Sequence, residues 1–265
     1  MKWRGFKDLP VAINELGCWR MPVNVWGSRL VPPTLDRLVS LQAHRFNWMG
    51  RDEKEFLAKL LSPDSVVADV GANQGLYSLW FARSVPQGQV YAFEPDPILF
   101  QSLAANLQAN RLQNVTAIEA AVSSKSGNLS LSKGWLNRGD NRASVQQTAA
   151  NGVQVVQAVT IDEVVKSGRL DLLKIDVQGF ELQVLLGAQQ TIASNPGITI
   201  LLEFWPYGLR MAGSEPAELL DFLKKAGLTV RGLDPAVTKK LETGELSSWQ
   251  TALQYCNIVA AQRKD

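Results

Sequence analysis

The sequence predicts an α/β protein organised around a mostly parallel sheet. The apolar run 66–70 carries Asp69 near its end, and a glycine-rich turn at 71–75 leads from it into a helical segment. A second apolar run, 89–93, is followed by Glu94, which lies 25 residues after Asp69. Apolar runs and helical patterns then keep alternating, which is the order of strands joined by crossover helices. These observations predict an open sheet whose strand ends bind a ligand.

The first elements are predicted from apolar spacing and turn residues. Residues 52–61 form an amphipathic helix with an acidic first turn, which the helix dipole favours, and Ser62-Pro63-Asp64 ends it. Short apolar runs predict strands at 66–70, 89–93 and 115–119. Helices at 75–84 and 97–110 lie between these strands, because their apolar residues recur at helical spacing.

Two alternating stretches then interrupt the order. Residues 128–132 and 153–159 alternate apolar and polar side chains, which predicts an antiparallel pair joined by the polar loop 133–151, close to the ligand-binding edge. Thr160 begins a short helix as an N-cap. The remaining strands are predicted at 172–176, 198–204, 228–232 and 256–262. The remaining helices are predicted to begin near Glu181 and to span 215–227. A seven-stranded sheet with an inserted strand pair results.

The first fifty residues differ from the rest. They contain prolines and several tryptophans without a sustained period, which predicts an irregular or partly helical extension. We therefore divide the chain into an N-terminal extension, 1–50, and a main domain, 51–265. The tryptophans either dock the extension by burying aromatic area or form a wall around a substrate.

Composition narrows the function classes. The 265 residues include 27 basic and 25 acidic side chains, a net charge of +2, which predicts neither a nucleic-acid partner nor binding to an anionic membrane. No window is apolar enough for a membrane span. Cys18 and Cys256 form neither a disulfide framework nor a zinc pattern, so we expect a reducing, cytoplasmic setting. The oligomeric state is left open, a homo-oligomer included.

The turn after the first strand predicts a nucleoside site. Gly71 and Gly75 allow close approach of a ligand to the backbone, and their Gly-x-x-x-Gly spacing differs from the Gly-x-Gly-x-x-Gly that binds a pyrophosphate. This argues against NAD and FAD. Glu94 at the end of the second strand can accept both hydroxyls of a ribose. The alternative is a turn with a structural role alone.

Three further acids follow strands of the same sheet. Asp176 ends the fourth strand, beside the first, and is expected to face the reactive end of the cofactor. Glu181 lies at a helix start, where the alternative is capping plus an ion pair with Lys174 or a nearby arginine. Glu203 ends the fifth strand as a proton acceptor, a substrate ligand or a solvated acid.

Two other features carry weaker predictions. The lone His44 lies in the extension, where a histidine is more often a packing or surface residue than a catalytic base. The inserted loop either closes over a polar substrate or is solvated; its polar and aromatic residues are Trp135, Arg138, Asp140, Asn141 and Arg142.

Taken together, the motifs resemble the FkbM-type family of S-adenosylmethionine-dependent methyltransferases over roughly residues 50–232. The matching segments are Asp69-Val70-Gly71-Ala72-Asn73-Gln74-Gly75-Leu76-Tyr77-Ser78, Phe93-Glu94-Pro95, Asn106, Ala121-Val122-Ser123, 171–181, Gly187-Ala188 and Glu203-Phe204. Gln178 stands where the family usually has Glu, which argues against a catalytic role at that position.

The resemblance implies a class I methyltransferase fold with a Rossmann-like sheet. It also implies that the protein transfers a methyl group from S-adenosylmethionine to a hydroxyl of a sugar, glycan or secondary metabolite. It implies that Asp176 lies beside the methyl group, that Glu94 binds the ribose and that Ala121 and Val122 flank the adenine. The other residues implied in cofactor binding are Asp69, Gly71, Ala72, Asn73, Gly75, Tyr77 and Pro95.

The chemistry requires a close, collinear nucleophile and a proton acceptor. Asp176 is the first choice as base, and Glu203 or Glu181 the second. No divalent metal is expected; with no histidine or cysteine ligands, a site would consist of oxygen ligands, as magnesium prefers. The alternative function is a catalytically silent, nucleoside-binding accessory protein of the same fold.

Overall fold

The computed structural model describes residues 23–31, 51–132, 142–144, 153–165 and 168–262. The strands are β1 Val23–Val25, β2 Ser28–Leu30, β3 Val66–Val70, β4 Gln89–Phe93, β5 Val115–Ile118, β6 Ala121–Val122, β7 Gly127–Ser132, β8 Arg142–Ser144, β9 Val153–Val159, β10 Leu172–Ile175, β11 Thr199–Phe204, β12 Thr229–Gly232 and β13 Cys256–Ala261. The helices are α1 Arg51–Leu60, α2 Leu76–Ser84, α3 Pro97–Ala109, α4 Ile161–Val164, α5 Glu181–Leu186, α6 Gln189–Ser194, α7 Pro206–Met211, α8 Pro216–Lys225 and α9 Pro235–Glu242, with a 3₁₀ turn at Glu245–Ser248.

The main sheet has seven strands in the order β12-β13-β11-β10-β3-β4-β5. Every neighbouring pair from β11 to β5 is parallel, and β13 runs antiparallel to both of its neighbours. The predicted seven-stranded, mostly parallel sheet of Rossmann-like type is therefore confirmed. Side chains of β3 alternate between two apolar clusters, because Ala68 and Val70 join one and Val67 joins the other. Both faces of the sheet are thus covered, as parallel sheets require.

The inserted strands form a second sheet. It has four strands in the order β6-β9-β7-β8, and β7 pairs with β9 in antiparallel register, as the alternating pattern predicts. Its apolar residues cluster with Phe180, and Val177 packs against that cluster. The small sheet therefore packs against the turn that follows β10, and the Thr160 hydroxyl caps α4 by accepting from the Glu163 N–H.

The described part of the N-terminal region is a β-hairpin that the sequence analysis did not anticipate. Strands β1 and β2 pair through a turn at Trp26, whose ring lies 6.5 Å from that of Tyr77. The side chain of Asn106 accepts from the Val31 N–H at 2.7 Å and donates to the Gln74 carbonyl at 2.8 Å. The hairpin is thereby tied to the glycine-rich turn through one buried amide. Within the described residues, no helix has the length and apolar character to cross a bilayer.

Candidate active site

The acids predicted from strand ends lie along one edge of the main sheet. β3 lies between β4 and β10, and β10 is paired with β11, all in parallel register. The carboxyl ends of these strands therefore meet at the same edge, where open α/β sheets bind ligands. Asp69, Glu94, Asp176 and Glu203 lie at or directly after these ends. The predicted grouping of the four acids at one sheet edge is present.

The turn after β3 is held against both neighbouring strands. The N–H groups of Gly71 and Ala72 both donate to the carbonyl of Phe93, at 3.0 and 2.9 Å. Gly71 has φ +80°, and a Cβ there would lie 1.9 Å from the carbonyl oxygen of Asp176. Only glycine fits such an approach, because both the backbone conformation and the space exclude a side chain. The turn is therefore packed directly on the end of β10.

Glu94 is buried and organises the loops on both sides of it. One carboxylate oxygen accepts from the N–H of Asn73 and the other from the N–H of Asp96, both at 2.8 Å. Burial raises the pKa of Glu94 to about 8, although the two backbone donors oppose the shift. Each oxygen has a second lone pair, so these bonds leave acceptor capacity for ribose hydroxyls. The ribose role remains a prediction.

Asp69 and Lys174 form a buried ion pair beneath the turn. The carboxylate of Asp69 is fully buried and accepts from the Ser78 hydroxyl at 2.6 Å, while its other oxygen lies 3.4 Å from Lys174 Nζ. The same Nζ lies 3.7 Å from Asp176 and 4.2 Å from the centre of the Tyr77 ring. Burial lowers the pKa of Lys174, but the surrounding carboxylates outweigh it and the pKa is raised. One ammonium therefore serves two carboxylates.

Tyr77 connects this pair to α1. Its hydroxyl donates to Glu53 at 2.8 Å, and the other oxygen of Glu53 accepts from Asn257 Nδ2 at 3.1 Å. Burial raises the pKa of Glu53. The sequence analysis missed Glu53, because an acid in the first turn of a helix is already explained by the helix dipole. The predicted cofactor contact of Tyr77 remains a prediction.

The three acids on the other side of the turn differ in environment. The side chain of Asp176 is 41% exposed. Glu203 is half-buried; burial, followed by the negative charges of Asp176 and Glu181, raises its pKa to about 9. Glu181 is fully buried, accepts from the Gly179 N–H at 3.0 Å, and burial raises its pKa to about 7. Asp176 is therefore the most accessible carboxylate of the three.

An amide lies between two of these acids. Gln178 Nε2 donates to Asp176 Oδ1 at 3.1 Å and to Glu203 Oε2 at 3.2 Å. The alternative in which Lys174 pairs with Glu181 is wrong for the described structure, because Lys174 pairs with Asp69 and Asp176. Glu181 instead receives a local backbone N–H, as the capping alternative expects.

The remaining predicted residues divide into two groups. Ala121 and Val122 are buried in β6, Ala72 is buried in the turn, and Pro95 directly precedes Asp96, whose side chain caps α3. Their cofactor contacts remain predictions. Outside the described residues lie Cys18, His44, Trp135, Arg138, Asp140 and Asn141, and of Arg142 only the backbone in β8 is described. Within the described ranges, no group of three His, Cys, Asp or Glu side chains is arranged to hold a metal ion.

A comparison with known protein families decides the classification. The sequence profile of the methyltransferase FkbM domain matches residues 69–229. The chain belongs to the FkbM methyltransferase family. This match begins at Asp69 and includes Glu94, Asp176 and Glu203, so the acids of the sheet edge lie within the family domain. The FkbM-family chain is accordingly an S-adenosylmethionine-dependent methyltransferase.

Three methyltransferases are similar to this chain over two thirds or more of their own length. Methyltransferase sdnD of Sordaria araneosa is 31% identical over 186 residues, 57% of this chain and 70% of the relative. The hexuronic acid methyltransferase AglP of Haloferax volcanii is 28% identical over 193 residues, 69% and 73% of the two chains. The 2-O-methyltransferase NoeI of Sinorhizobium fredii is 27% identical over 175 residues, 59% and 67%. Among solved structures, a SAM-dependent methyltransferase from Aquifex aeolicus superposes with a TM-score of 0.46 at 18% identity, covering 86% and 94%.

Proposed function

We propose that this FkbM-family methyltransferase methylates a hydroxyl oxygen on a sugar, glycan or secondary metabolite, with Asp176 as general base. The observation that carries the proposal is the position of Asp176: it directly follows β10, its backbone carbonyl packs against Gly71 of the glycine-rich turn, and its side chain is 41% exposed. Two relatives support the acceptor class, because one is named for a hexuronic acid and the other for 2-O-methylation.

The residues at the sheet edge fit S-adenosylmethionine as the donor. The ligand presents a cationic sulfonium, an ammonium group and two ribose hydroxyls, and it lacks phosphates. Carboxylates suit each of these groups, and the edge of the main sheet offers Glu94 and Asp176 in that role. When bound, the sulfonium supplies an electrophilic methyl carbon.

In the proposed reaction, Asp176 accepts the proton of the acceptor hydroxyl while the oxygen–carbon bond forms and the sulfur–carbon bond breaks. The proton ends on Asp176 and the electron pair of the broken bond ends on sulfur, so charge is balanced. Lys174 Nζ lies 3.7 Å from one carboxylate oxygen of Asp176 and favours its ionised form, which can accept a proton. Glu203, with its pKa raised to about 9, is protonated at neutral pH and can donate to a second polar group of the acceptor.

The test combines ligand binding with an acceptor screen. Calorimetry with S-adenosylmethionine and S-adenosylhomocysteine should show binding of both. Incubation with S-adenosylmethionine and uronic acids, hexosides or polyol metabolites should give products that are about 14 mass units heavier by mass spectrometry, because a methyl group replaces a hydrogen. Asp176→Asn should lower kcat by about 10²- to 10⁴-fold. The matched control is Asp221→Asn, an exposed acid on α8, which should leave kcat unchanged. Binding with no turnover on any acceptor would favour the accessory protein, and an Asp176→Asn variant as fast as the wild type would refute the assignment of the base.

A further inference from the structure

We infer that Gln178 is a positioning residue whose side-chain amide holds the carboxyl groups of Asp176 and Glu203 in the arrangement that methyl transfer requires. Its Nε2 atom lies 3.1 Å from one carboxyl and 3.2 Å from the other. An amide nitrogen has two hydrogens, so it can donate one bond to each acid without adding charge. The inference rests on the proposed function, because it assigns Gln178 a role through Asp176.

The backbone at Gln178 supports a role beyond filling a turn. Its φ is +55°, in the left-handed region that glycine and asparagine tolerate best and glutamine rarely adopts. The next residue, Gly179, has φ +103°, and a Cβ there would lie 2.3 Å from the carbonyl oxygen of Gly208 in α7. Packing therefore confines the turn, and Gln178 holds an unfavourable backbone conformation although glycine or asparagine would suit that conformation better. An observed backbone outlier of this kind at a site edge motivates a functional hypothesis.

The chemical type of the side chain matters as much as its position. The family motif that this chain resembles usually has Glu at this position, and an ionised Glu has no hydrogen to donate. With Glu here, three carboxyl groups would face each other, and Lys174 is already shared between Asp69 and Asp176. Gln178 has the same length and shape, and it replaces a repulsion with two hydrogen bonds.

The two contacts also orient Asp176. Gln178 donates to its Oδ1 and Lys174 lies 3.7 Å from its Oδ2, so both carboxylate oxygens are held from the protein side. These two partners fix the plane of the Asp176 carboxylate, and they thereby fix the direction of its remaining lone pairs. A proton acceptor held this way meets the incoming hydroxyl without first reorganising, which is how positioning contributes to rate.

Other titratable groups face the Asp176–Glu203 pair and belong to any account of its pH dependence. They are Glu53 from α1, Tyr77 from α2, Lys174 from β10, Glu181 from α5, Tyr255 directly before β13 and Cys256 at its first position. Asp69 from β3 shares Lys174 with Asp176. All of them are unchanged in variants of Gln178, so a difference in pH profile between those variants reports on the amide itself.

The experiment separates fold from positioning by using residues that suit the backbone. Gln178→Gly and Gln178→Asn both accept a left-handed conformation, and neither side chain reaches both acids. We expect a melting temperature equal to or above that of the wild type, unchanged affinity for S-adenosylhomocysteine, and a kcat lower by about tenfold or more. Gln178→Glu keeps the shape, and its added charge should move the acid limb of the kcat–pH profile upward by about one unit or more.

A second readout does not depend on an acceptor. Infrared or ¹³C-carboxyl titration of the ligand-free protein should show a carboxyl group titrating at higher pH in Gln178→Glu than in the wild type. Gly and Asn variants that retain full kcat, or a Glu variant with unshifted titration and pH profile, would overturn the inference. If no acceptor is methylated by the wild type, the proposed function fails while the carboxyl titration still tests the arrangement of the acids.

Discussion

If Glu94 binds the ribose as predicted, binding of S-adenosylhomocysteine should tighten as the pH rises from 6 to 8, because Glu94 must lose a proton before both of its oxygens can accept from the ribose hydroxyls. Burial raises the pKa of Glu94 to about 8 in the ligand-free protein, so the carboxyl is mostly protonated at pH 6. A protonated carboxyl has one oxygen that donates and offers less acceptor capacity. Ligand binding and proton release are therefore linked, and affinity follows the ionised fraction.

The size of the effect follows from that pKa. About 1% of Glu94 is ionised at pH 6 and about half at pH 8, so a site that binds only the ionised form gains roughly 50-fold in affinity. Glu94→Gln is the matched variant, since its side chain does not titrate. Its affinity should be flat with pH and no higher than the wild-type value at pH 6. Any titration of the ligand's own amino group affects both proteins equally and cancels in the comparison.

The assay is calorimetry at pH 6, 7 and 8 at constant ionic strength. Glutamine can accept only one of the two backbone N–H groups of Asn73 and Asp96, so the variant should also lose about 1–3 kcal/mol of stability. Thermal melts therefore have to establish that it is folded at the assay temperature. A wild-type dissociation constant that does not change between pH 6 and 8, or a variant with the same pH dependence as the wild type, would refute the ribose role of Glu94.

Three further predictions concern stability, each measured by urea unfolding. Gly71→Ala should cost about 3 kcal/mol or more, because its Cβ would lie 1.9 Å from the carbonyl oxygen of Asp176 at φ +80°; a loss under about 1 kcal/mol would contradict the tight approach. Lys174→Met should cost about 3–5 kcal/mol, because it leaves the buried carboxylate of Asp69 without its cation; a neutral effect would argue against this ion pair. In the ligand-free wild type, stability should fall by at least about 2 kcal/mol from pH 6 to 8, since the folded pKa values of Glu94 and Glu181, about 8 and about 7, exceed the usual 4.5 and the folded state therefore holds more protons. A flat or rising profile would show that these acids ionise freely in the folded protein.

The strands were predictable because their signals are local. Strands 66–70, 89–93 and 153–159 have the predicted bounds, and each is a short apolar or alternating run with turn residues beside it. Two of the elements that were missed, a hairpin and a short helix, lack such a pattern. The hairpin formed by Val23–Val25 and Ser28–Leu30 has strands of three residues. The helix Pro206–Met211 has six residues, which is too short for a helical period to show.

The candidate site was predicted in outline and not in its contacts. Acids at strand ends can be found from the sequence, because parallel strands present their carboxyl ends at one edge. The contact between Glu53 and Asn257 could not be found from the sequence, since it joins residues 204 positions apart. The same holds for the hydrogen bonds of Gln178 to Asp176 and Glu203, because the departure from the family pattern at this position indicates no partner for the amide.

The sequence by itself determined the succession of strands along the chain, the glycine-rich turn, the resemblance to the FkbM family and the acids of the sheet edge. Each of these depends on neighbouring residues or on spacing along the chain. Only the tertiary structure decided which polar atoms are partners: Lys174 between Asp69 and Asp176, Asn73 on Glu94, and Gln178 between two carboxyl groups. Those pairings depend on strand register and on side chains packed from distant elements. Burial in the folded protein also raises the pKa of Glu94 and of Glu203, which spacing along the chain does not reveal.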